Sequence, residues 1–353
     1  MSGERVAVVG AGLMGHGIAQ VFAAAGRPVA VWDPDPVART SVAERVSANL
    51  RATGRGQDAL ERIHVRPSLE DAVGDADVVI EAAPEDLALK QSLFERLDQL
   101  APTGAMLATN TSVMSVGEIG ARARRRERVL GTHWWNPPYL IPLVEVVQAE
   151  LTGDEVVRRM LDLLAEVGKT PVHVRRDVPG FVGNRLQHAL WREAIAIVAG
   201  GICDAETVDT VVKQSFGRRL GVLGPLENAD LVGLDLTLAI HDYVLPHLDR
   251  TPGPSPLLRD KVARGELGMK TGSGFRHWSP GRSRRRPRAP AELPGHAVSA
   301  RVSVTAELSA SPISTTRRNQ TGSMRAKMRF PSHQPSATAG TPARPMPIAV
   351  GCT

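Results

Sequence analysis

Residues 6–15 read VAVVGAGLMG, and the next apolar run, Val29–Trp32, closes on an acidic residue, Asp33. Four small β-formers lead into Gly10, Gly12 and Gly15, and a helical pattern follows. The order predicts a strand, a glycine-rich turn and a helix start. Gly10 lets the chain turn tightly out of the strand. Gly12 has no side chain, so a pyrophosphate can approach the backbone, and Gly15 lets the helix pack close to the strand. Leu13 and Met14 are the other turn residues expected beside the phosphates, where helix N–H groups carry a partial positive charge. Asp33 stands eighteen positions after Gly15. A carboxylate there accepts hydrogen bonds from both ribose hydroxyls of an adenosine and repels a 2′-phosphate, so NAD is favoured over NADP. A glycine-rich turn alone is weak evidence, because βαβ units that bind nothing also contain one; the second strand and Asp33 narrow the reading.

Working outward, 353 residues with 42% hydrophobic content suffice for two domains or one large one. Neither of the two cysteines, Cys203 and Cys352, sits in a CxxC or Cys/His cluster, so no disulfide framework and no metal site are expected. No apolar run reaches membrane-spanning length. The first strand begins too early for a signal peptide, and the expected setting is reducing and cytoplasmic. The net charge of +6 is unevenly placed: residues 281–353 hold twelve Lys/Arg against two Asp/Glu, or +10, which leaves −4 for the first 280. The body therefore offers no charge argument for nucleic acid.

Further along, a helix is expected over Pro36–Gly54 and strands over Ile63–Arg66 and Asp77–Ala82. A helix over Glu85–Leu100 and a strand over Ala105–Thr109, ending at Asn110-Thr111-Ser112, come next. Strands at Val129–Trp134 and Leu143–Val147 flank the Pro-rich turn 136–142, and a helix at Asp154–Val167 and a strand at Pro171–Val174 complete the alternation. This is an α/β pattern: a doubly wound, mostly parallel sheet covered on both faces. After Asp177-Val178-Pro179-Gly180 the rhythm becomes all helical. Apolar positions recur from Val182 to Ile197, Gly200-Gly201 stops that helix, and Asp204 caps the next. Helices are then expected over Thr207–Phe216, Leu231–Leu248 and Ser255–Arg264. The expected organisation is a dinucleotide-binding Rossmann domain at 1–178, a smaller helical domain at 179–278, and a disordered basic tail at 279–353 opened by RSRRRPR. Such a tail can bind RNA or anionic lipid; the plainer reading is a solvated extension. Its abrupt change of character also fits a frame-shifted or read-through extension, which resequencing to one intact frame would remove.

Ligands of a doubly wound sheet bind outside the carboxyl ends of its strands. Glu85, Asn110, Ser112, His133 and Asn136 fall at such ends, and Glu145 lies on the strand after His133. Imidazole titrates near neutral pH, which makes His133 the obvious proton carrier, and a carboxylate partner would fix its tautomer. A lone histidine, a surface strand glutamate, a helix-capping asparagine and a solvated helix lysine are the plain alternatives for His133, Glu145, Asn184 and Lys90.

GAGLMGHGIAQ, IEAAPEDLALKQSLF, ATNTSVMS, THWWNPPYLIPLVEVV and DVPGFVGNRLQ occur in this order, followed by GPLENADLVGLDLT and KTGSGF. Together, over about residues 4–278, they resemble the 3-hydroxyacyl-CoA dehydrogenase family. The resemblance implies NAD as cofactor and a homodimer formed through the helical domain. It implies that His133 is the catalytic base and Glu145 its paired carboxylate. Ser112 would bond the substrate oxygen and help place the nicotinamide, and Asn184 would position the reacting carbonyl. Glu85, Lys90, Asn110 and Asn136 match cofactor-binding or site-lining positions.

The family's reaction is oxidation of the 3-hydroxyl of an L-3-hydroxyacyl-CoA, with short chains such as 3-hydroxybutyryl-CoA expected here. The segment between Asp33 and Ile63 is shorter than the two-helix hairpin that contacts CoA in acyl-CoA members; it keeps one clear helix, with Arg45, Arg51, Arg55 and Arg62 in the segment, and a remnant of the second. NPPYLIPLVEV and NRLQHALWREA also resemble the branch of gulonate dehydrogenase, lambda-crystallin and carnitine dehydrogenase, which oxidises small free 3-hydroxy acids. A non-catalytic, crystallin-like protein on the same fold is a third expectation, opposed by the intact Ser112, His133, Glu145 and Asn184.

Overall fold

Four consecutive buried residues, Val6–Val9, form β1, the third strand in from one edge of an eight-stranded sheet. The computed structural model describes residues 3–278; the tail read as disordered, 279–353, lies outside them, as does Cys352. The chain runs β1, α1 (Gly15–Ala24), β2 (Val29–Trp32), α2 (Pro36–Thr40), α3 (Val42–Ala52) and β3 (Ile63–Val65). It continues with α4 (Leu69–Val73), β4 (Val78–Glu81), α5 (Leu87–Leu100), β5 (Met106–Thr109), α6 (Val116–Ile119) and β6 (Val129–Trp134). β7 (Leu143–Val147), α7 (Asp154–Glu166) and β8 (Thr170–Val174) close the sheet. The helices α8 (Gly183–Ala199), α9 (Ala205–Gln214), α10 (Pro225–Val232), α11 (Leu234–Val244) and α12 (Pro256–Ala263) follow.

The strand order is β3-β2-β1-β4-β5-β6-β7-β8. The first six strands are parallel, β7 is antiparallel to β6, and β8 is parallel to β7. Winding outward from β1 in both directions opens a crevice beyond the carboxyl ends of β1 and β4, where a ligand of such a sheet binds. Alternation along β1 builds two cores: Val6 and Val8 join Ile18, Phe22 and Met160 on one face, and Ala7 and Val9 join Phe94, Leu97 and Ile119 on the other.

Two expected helices are each interrupted. Pro36–Gly54 is α2 and α3, broken at Ser41, whose hydroxyl donates to the Ala38 carbonyl. Leu231–Leu248 belongs to α10 and α11, because Gly233 adopts φ 102° between them. α10 starts six residues earlier than the expected helix, with Pro225 in its first turn, a position where proline is tolerated. The remnant of a second helix before β3 is a 3-10 turn at Asp58–Arg62. Asp204 caps α9 through a 2.7 Å bond from the Thr207 N–H, and Asp86 caps α5 from Leu89 at 2.9 Å; such caps contribute about 1 kcal/mol each. No helix among the described residues is long and apolar enough to cross a membrane.

Candidate active site

The glycine turn between β1 and α1 is shaped by contacts that exclude side chains. Gly10 has φ 104°, and a Cβ on it would lie 2.6 Å from the Ala82 carbonyl oxygen; a Cβ on Gly15 would lie 1.8 Å from the Gly10 oxygen. A Cβ on Gly12, by contrast, would meet nothing within 4 Å. That open space, above a helix with no side-chain cap and no acid in its first turn, is a cradle an anionic pyrophosphate fits. Leu13 is exposed and Met14 half-buried beside it. Asp33 Oδ2 accepts from the Ala11 N–H at 2.7 Å and Oδ1 from the Asp35 N–H at 2.9 Å. Each oxygen keeps a further lone pair for a ribose hydroxyl. Arg45, on α3, donates to the Ala11 carbonyl at 2.6 Å and so ties the turn to that helix.

Across the crevice, β4 ends in a buried ion pair. Lys90 Nζ lies 2.7 Å from Glu81 Oε1 and 3.6 Å from Glu85 Oε2, with both Lys90 and Glu81 side chains fully buried. Lys90 is therefore no solvated helix lysine. Glu81, which stands inside an otherwise apolar strand, also accepts from the Thr109 hydroxyl at 2.6 Å and from the Ala83 N–H at 2.6 Å. Glu85 Oε1 takes the Ser112 N–H at 2.6 Å and the Thr111 hydroxyl at 3.0 Å. Ser112 is exposed, and its carbonyl accepts from Asn184 Nδ2 at 2.7 Å. Asn110 Oδ1 accepts from the Trp134 N–H at 3.2 Å, and exposed Asn136 precedes Pro137 through a cis peptide bond.

His133 and Glu145 are directly opposite each other in the antiparallel β6–β7 pair. Residues so paired point to the same face. His133 Nδ1 lies 2.7 Å from Glu145 Oε2, and the two residues are 3% and 1% exposed. The carboxylate can only accept, so Nδ1 carries a proton toward it, and in the neutral ring Nε2 keeps its lone pair. Glu145 Oε1 accepts the Val182 and Gly183 N–H groups of the first turn of α8 at 2.9 and 3.0 Å. Burial alone would push the Glu145 carboxyl up; the His133 bond, the Gly183 and Val182 amides and the His133 charge outweigh it and hold it below its ordinary value. The imidazole packs against Trp135 and Phe181, with ring centroids 5.0 and 5.7 Å away.

Sequence reasoning missed several residues that shape this site. Glu81 pairs with Lys90 and is itself held by Thr109, and Asp177 pins the linker before α8 by accepting from Ser115 Oγ at 2.6 Å and the Gly117 N–H at 2.9 Å. Lys169 holds the 136–142 turn through the Ile141 carbonyl at 2.9 Å and the Pro138 carbonyl. Burial, then the Arg55 charge, lowers its ammonium to about 8. A charge within the apolar run of β4 was the one available signal, for Glu81. Among the described residues no group of three or more His, Cys, Asp or Glu is placed to hold a metal ion.

Comparison with known proteins gives the same picture along the whole described chain. The 3-hydroxyacyl-CoA dehydrogenase NAD binding domain matches residues 5–178, and the C-terminal domain of that family matches residues 180–278. A 5-formyl-3-hydroxy-2-methylpyridine 4-carboxylate 5-dehydrogenase of Mesorhizobium japonicum is 33% identical over 287 residues, covering 78% of this chain and 91% of its own. A solved structure of an enzyme of that name, described as an NAD+ dependent dismutase, superposes with a TM-score of 0.74 at 31% identity, over 79% of this chain and 92% of the other. A probable 3-hydroxybutyryl-CoA dehydrogenase of Bacillus subtilis is 38% identical over 281 residues, 77% of this chain and 96% of its own. An L-carnitine dehydrogenase of Streptomyces griseus is 40% identical over 256 residues, 71% and 74% of the two chains.

Proposed function

The chain belongs to the 3-hydroxyacyl-CoA dehydrogenase family, an NAD-dependent oxidoreductase, and on that premise we propose that it oxidises the 3-hydroxyl of a short L-3-hydroxyacyl-CoA, such as 3-hydroxybutyryl-CoA, to the 3-keto compound. The observation that carries this reading is the buried 2.7 Å pair of His133 and Glu145. NAD would supply the hydride acceptor for C3. Gly10, Gly12, Leu13, Met14 and Gly15 would hold its pyrophosphate and Asp33 its adenosine ribose. Glu85, Lys90, Asn110, Ser112 and Asn136 would line the nicotinamide half, with Lys90 acting from beneath through Glu85 because its own amine is buried.

His133 takes the hydroxyl proton on Nε2. Glu145 holds the ring by Nδ1 and offsets the positive charge that results. Asn184 spends one amide N–H on the Ser112 carbonyl and keeps a second donor; with the Ser112 hydroxyl, that donor holds the substrate oxygen as it becomes a carbonyl. The two groups thereby fix the C3 oxygen against Nε2, which is an orienting contribution as much as an electrostatic one.

A second reading, a dehydrogenase of a small free 3-hydroxy acid, is favoured by the short 3-10 turn that follows α3 where the second helix of a hairpin would bring more contacts to CoA. The likeness to L-carnitine dehydrogenase points the same way. The exposed Arg51, in the last turn of α3, and Arg55, just beyond it, suit the phosphates of CoA and support the first reading. The deciding measurement is NADH consumption with acetoacetyl-CoA against a panel of free 3-keto acids. Turnover of acetoacetyl-CoA is expected; turnover of free acids alone would move the assignment to the second reading. Turnover of neither would leave a crystallin-like, non-catalytic protein.

The proposed assembly is a homodimer through the helical segment. Leu186, Leu190, Trp191, Leu226, Leu234 and Leu238 are all at least 40% exposed, whereas from residue 179 onward Phe181 alone among the described residues joins the buried apolar core. A cavity of about 1110 Å³ lies open among Trp191, Ile195, Leu258 and Phe275. Apolar area of this extent is normally covered by a partner surface. Light scattering on the eluting protein should give twice the 37.8 kDa of one chain; a 37.8 kDa species at micromolar concentration would overturn it.

A further inference from the structure

Gly183 opens α8, and its N–H is one of the two that bind Glu145 Oε1. Its backbone is not in the left-handed region that favours glycine, unlike Gly180 at φ 75°. Space, then, is what calls for glycine at 183. A Cβ there would lie 2.5 Å from Trp135 Cζ2 and 3.3 Å from Glu145 Oε2, and real Cβ atoms essentially never approach below 3.0 Å. Trp135 also packs against the His133 ring, 5.0 Å between centroids. Its indole N–H finds no hydrogen-bond partner among the described residues, so the indole is held here by its shape.

The chain before Gly183 is bent to suit. Phe181 takes φ 49°, a left-handed conformation that is strained for a non-glycine residue. The residue is 1% exposed, and its ring lies 5.7 Å from that of His133. The Gly180–Phe181 bend brings the amides of Val182 and Gly183 together onto one oxygen of Glu145.

We propose that Trp135 and Gly183 are a matched steric pair of positioning residues: the indole fills the space that a side chain at 183 would take, and so sets how closely α8 seats on Glu145 and how Glu145 is aimed at His133. The proposal rests on the reading of His133 as the base, but its packing claim stands apart from any substrate. A side chain at 183 must either lift the α8 amides from Glu145 or drive the indole into the imidazole. Both routes disturb proton transfer, and neither reaches the glycine turn that holds NAD.

The test is a four-protein cycle in the full chain: parent, Trp135→Phe, Gly183→Ala and the double variant. Phenylalanine lacks the outer indole carbons that the new methyl would strike. Gly183→Ala should lower kcat by about 10- to 100-fold, the scale of a small misplacement of the reacting groups, with the NADH dissociation constant within about twofold of the parent. Trp135→Phe should lower kcat by less than about 10-fold. The double variant should recover at least about fivefold over Gly183→Ala, because residues in contact give non-additive effects. Parent-like kcat in Gly183→Ala, or no recovery in the double variant, overturns the pairing. If Gly183→Ala does not fold, a double variant that folds and turns over supports the proposal, and one that also fails to fold overturns it. Melting temperatures of the same four proteins read the packing without a substrate: Gly183→Ala should melt lower, and Trp135→Phe should restore part of the loss. Absence of activity in the parent would sink the enzymatic reading, whereas absence of thermal recovery would sink the pair.

Discussion

His133→Gln is expected to reduce turnover by about 10²- to 10⁴-fold, the range that a positioned acid–base group contributes, while leaving NADH affinity nearly unchanged. The two effects separate because the groups are separate. The proposed dinucleotide cradle is built at Gly10–Gly15 and Asp33, and none of its hydrogen bonds involves the imidazole. Glutamine still offers its amide to Glu145 but has no nitrogen lone pair that can accept a proton near neutral pH. NADH fluorescence titration and steady-state kinetics with acetoacetyl-CoA are the measurements. A variant that kept near-parental kcat would remove His133 from the role of base. A variant that lost NADH binding together with kcat would show that the ring supports the cofactor site instead.

Glu145→Gln is expected to cost about 10³- to 10⁴-fold in kcat, as in other histidine–carboxylate pairs where the tautomer is reversed. The Val182 and Gly183 amides continue to bind the glutamine carbonyl oxygen, so the NH₂ group is left facing Nδ1. That group donates, Nδ1 must accept, and the imidazole proton moves to Nε2, where the lone pair was needed. The same carboxylate gives a stability prediction. Its folded-state pKa is depressed below the ordinary 4.5. The stabilisation is therefore present above about pH 4.5 and is lost as pH falls through the lower folded value. Acid unfolding followed from pH 6 to pH 2 should show a steeper loss in the parent than in Glu145→Gln. Coincident profiles, or a kcat reduced by less than tenfold, would contradict the bracing role.

The interrupted helices and Lys90 mark where reading along the chain stops working. The apolar repeat from Leu231 onward has no gap at Gly233, so nothing in its periodicity reveals that φ 102° divides α10 from α11. Lys90 sits on a helix with ordinary spacing and is nonetheless fully buried, because Glu81 meets it from the end of β4. Their separation of nine residues is neither a helical nor a strand spacing. His133 and Glu145, twelve apart, could be named as partners only through the family resemblance; composition and spacing alone left His133 a lone histidine.

The amino-acid sequence by itself determined the glycine turn after β1, the acid at the end of β2, the alternation of strands and helices, and the cap at Asp204. Each depends on residues close in the chain, whose backbone preferences, side-chain periodicity and capping bonds act over a few positions. Tertiary structure alone decided that Glu145 is held by amides 37 and 38 residues away, that Lys90 is buried over Glu81, and that Gly183 leaves room for Trp135. Such contacts depend on how closely α8 and α5 seat against the strands beside them. That distance is fixed by the summed volumes of many packed side chains, and no local stretch of sequence states it.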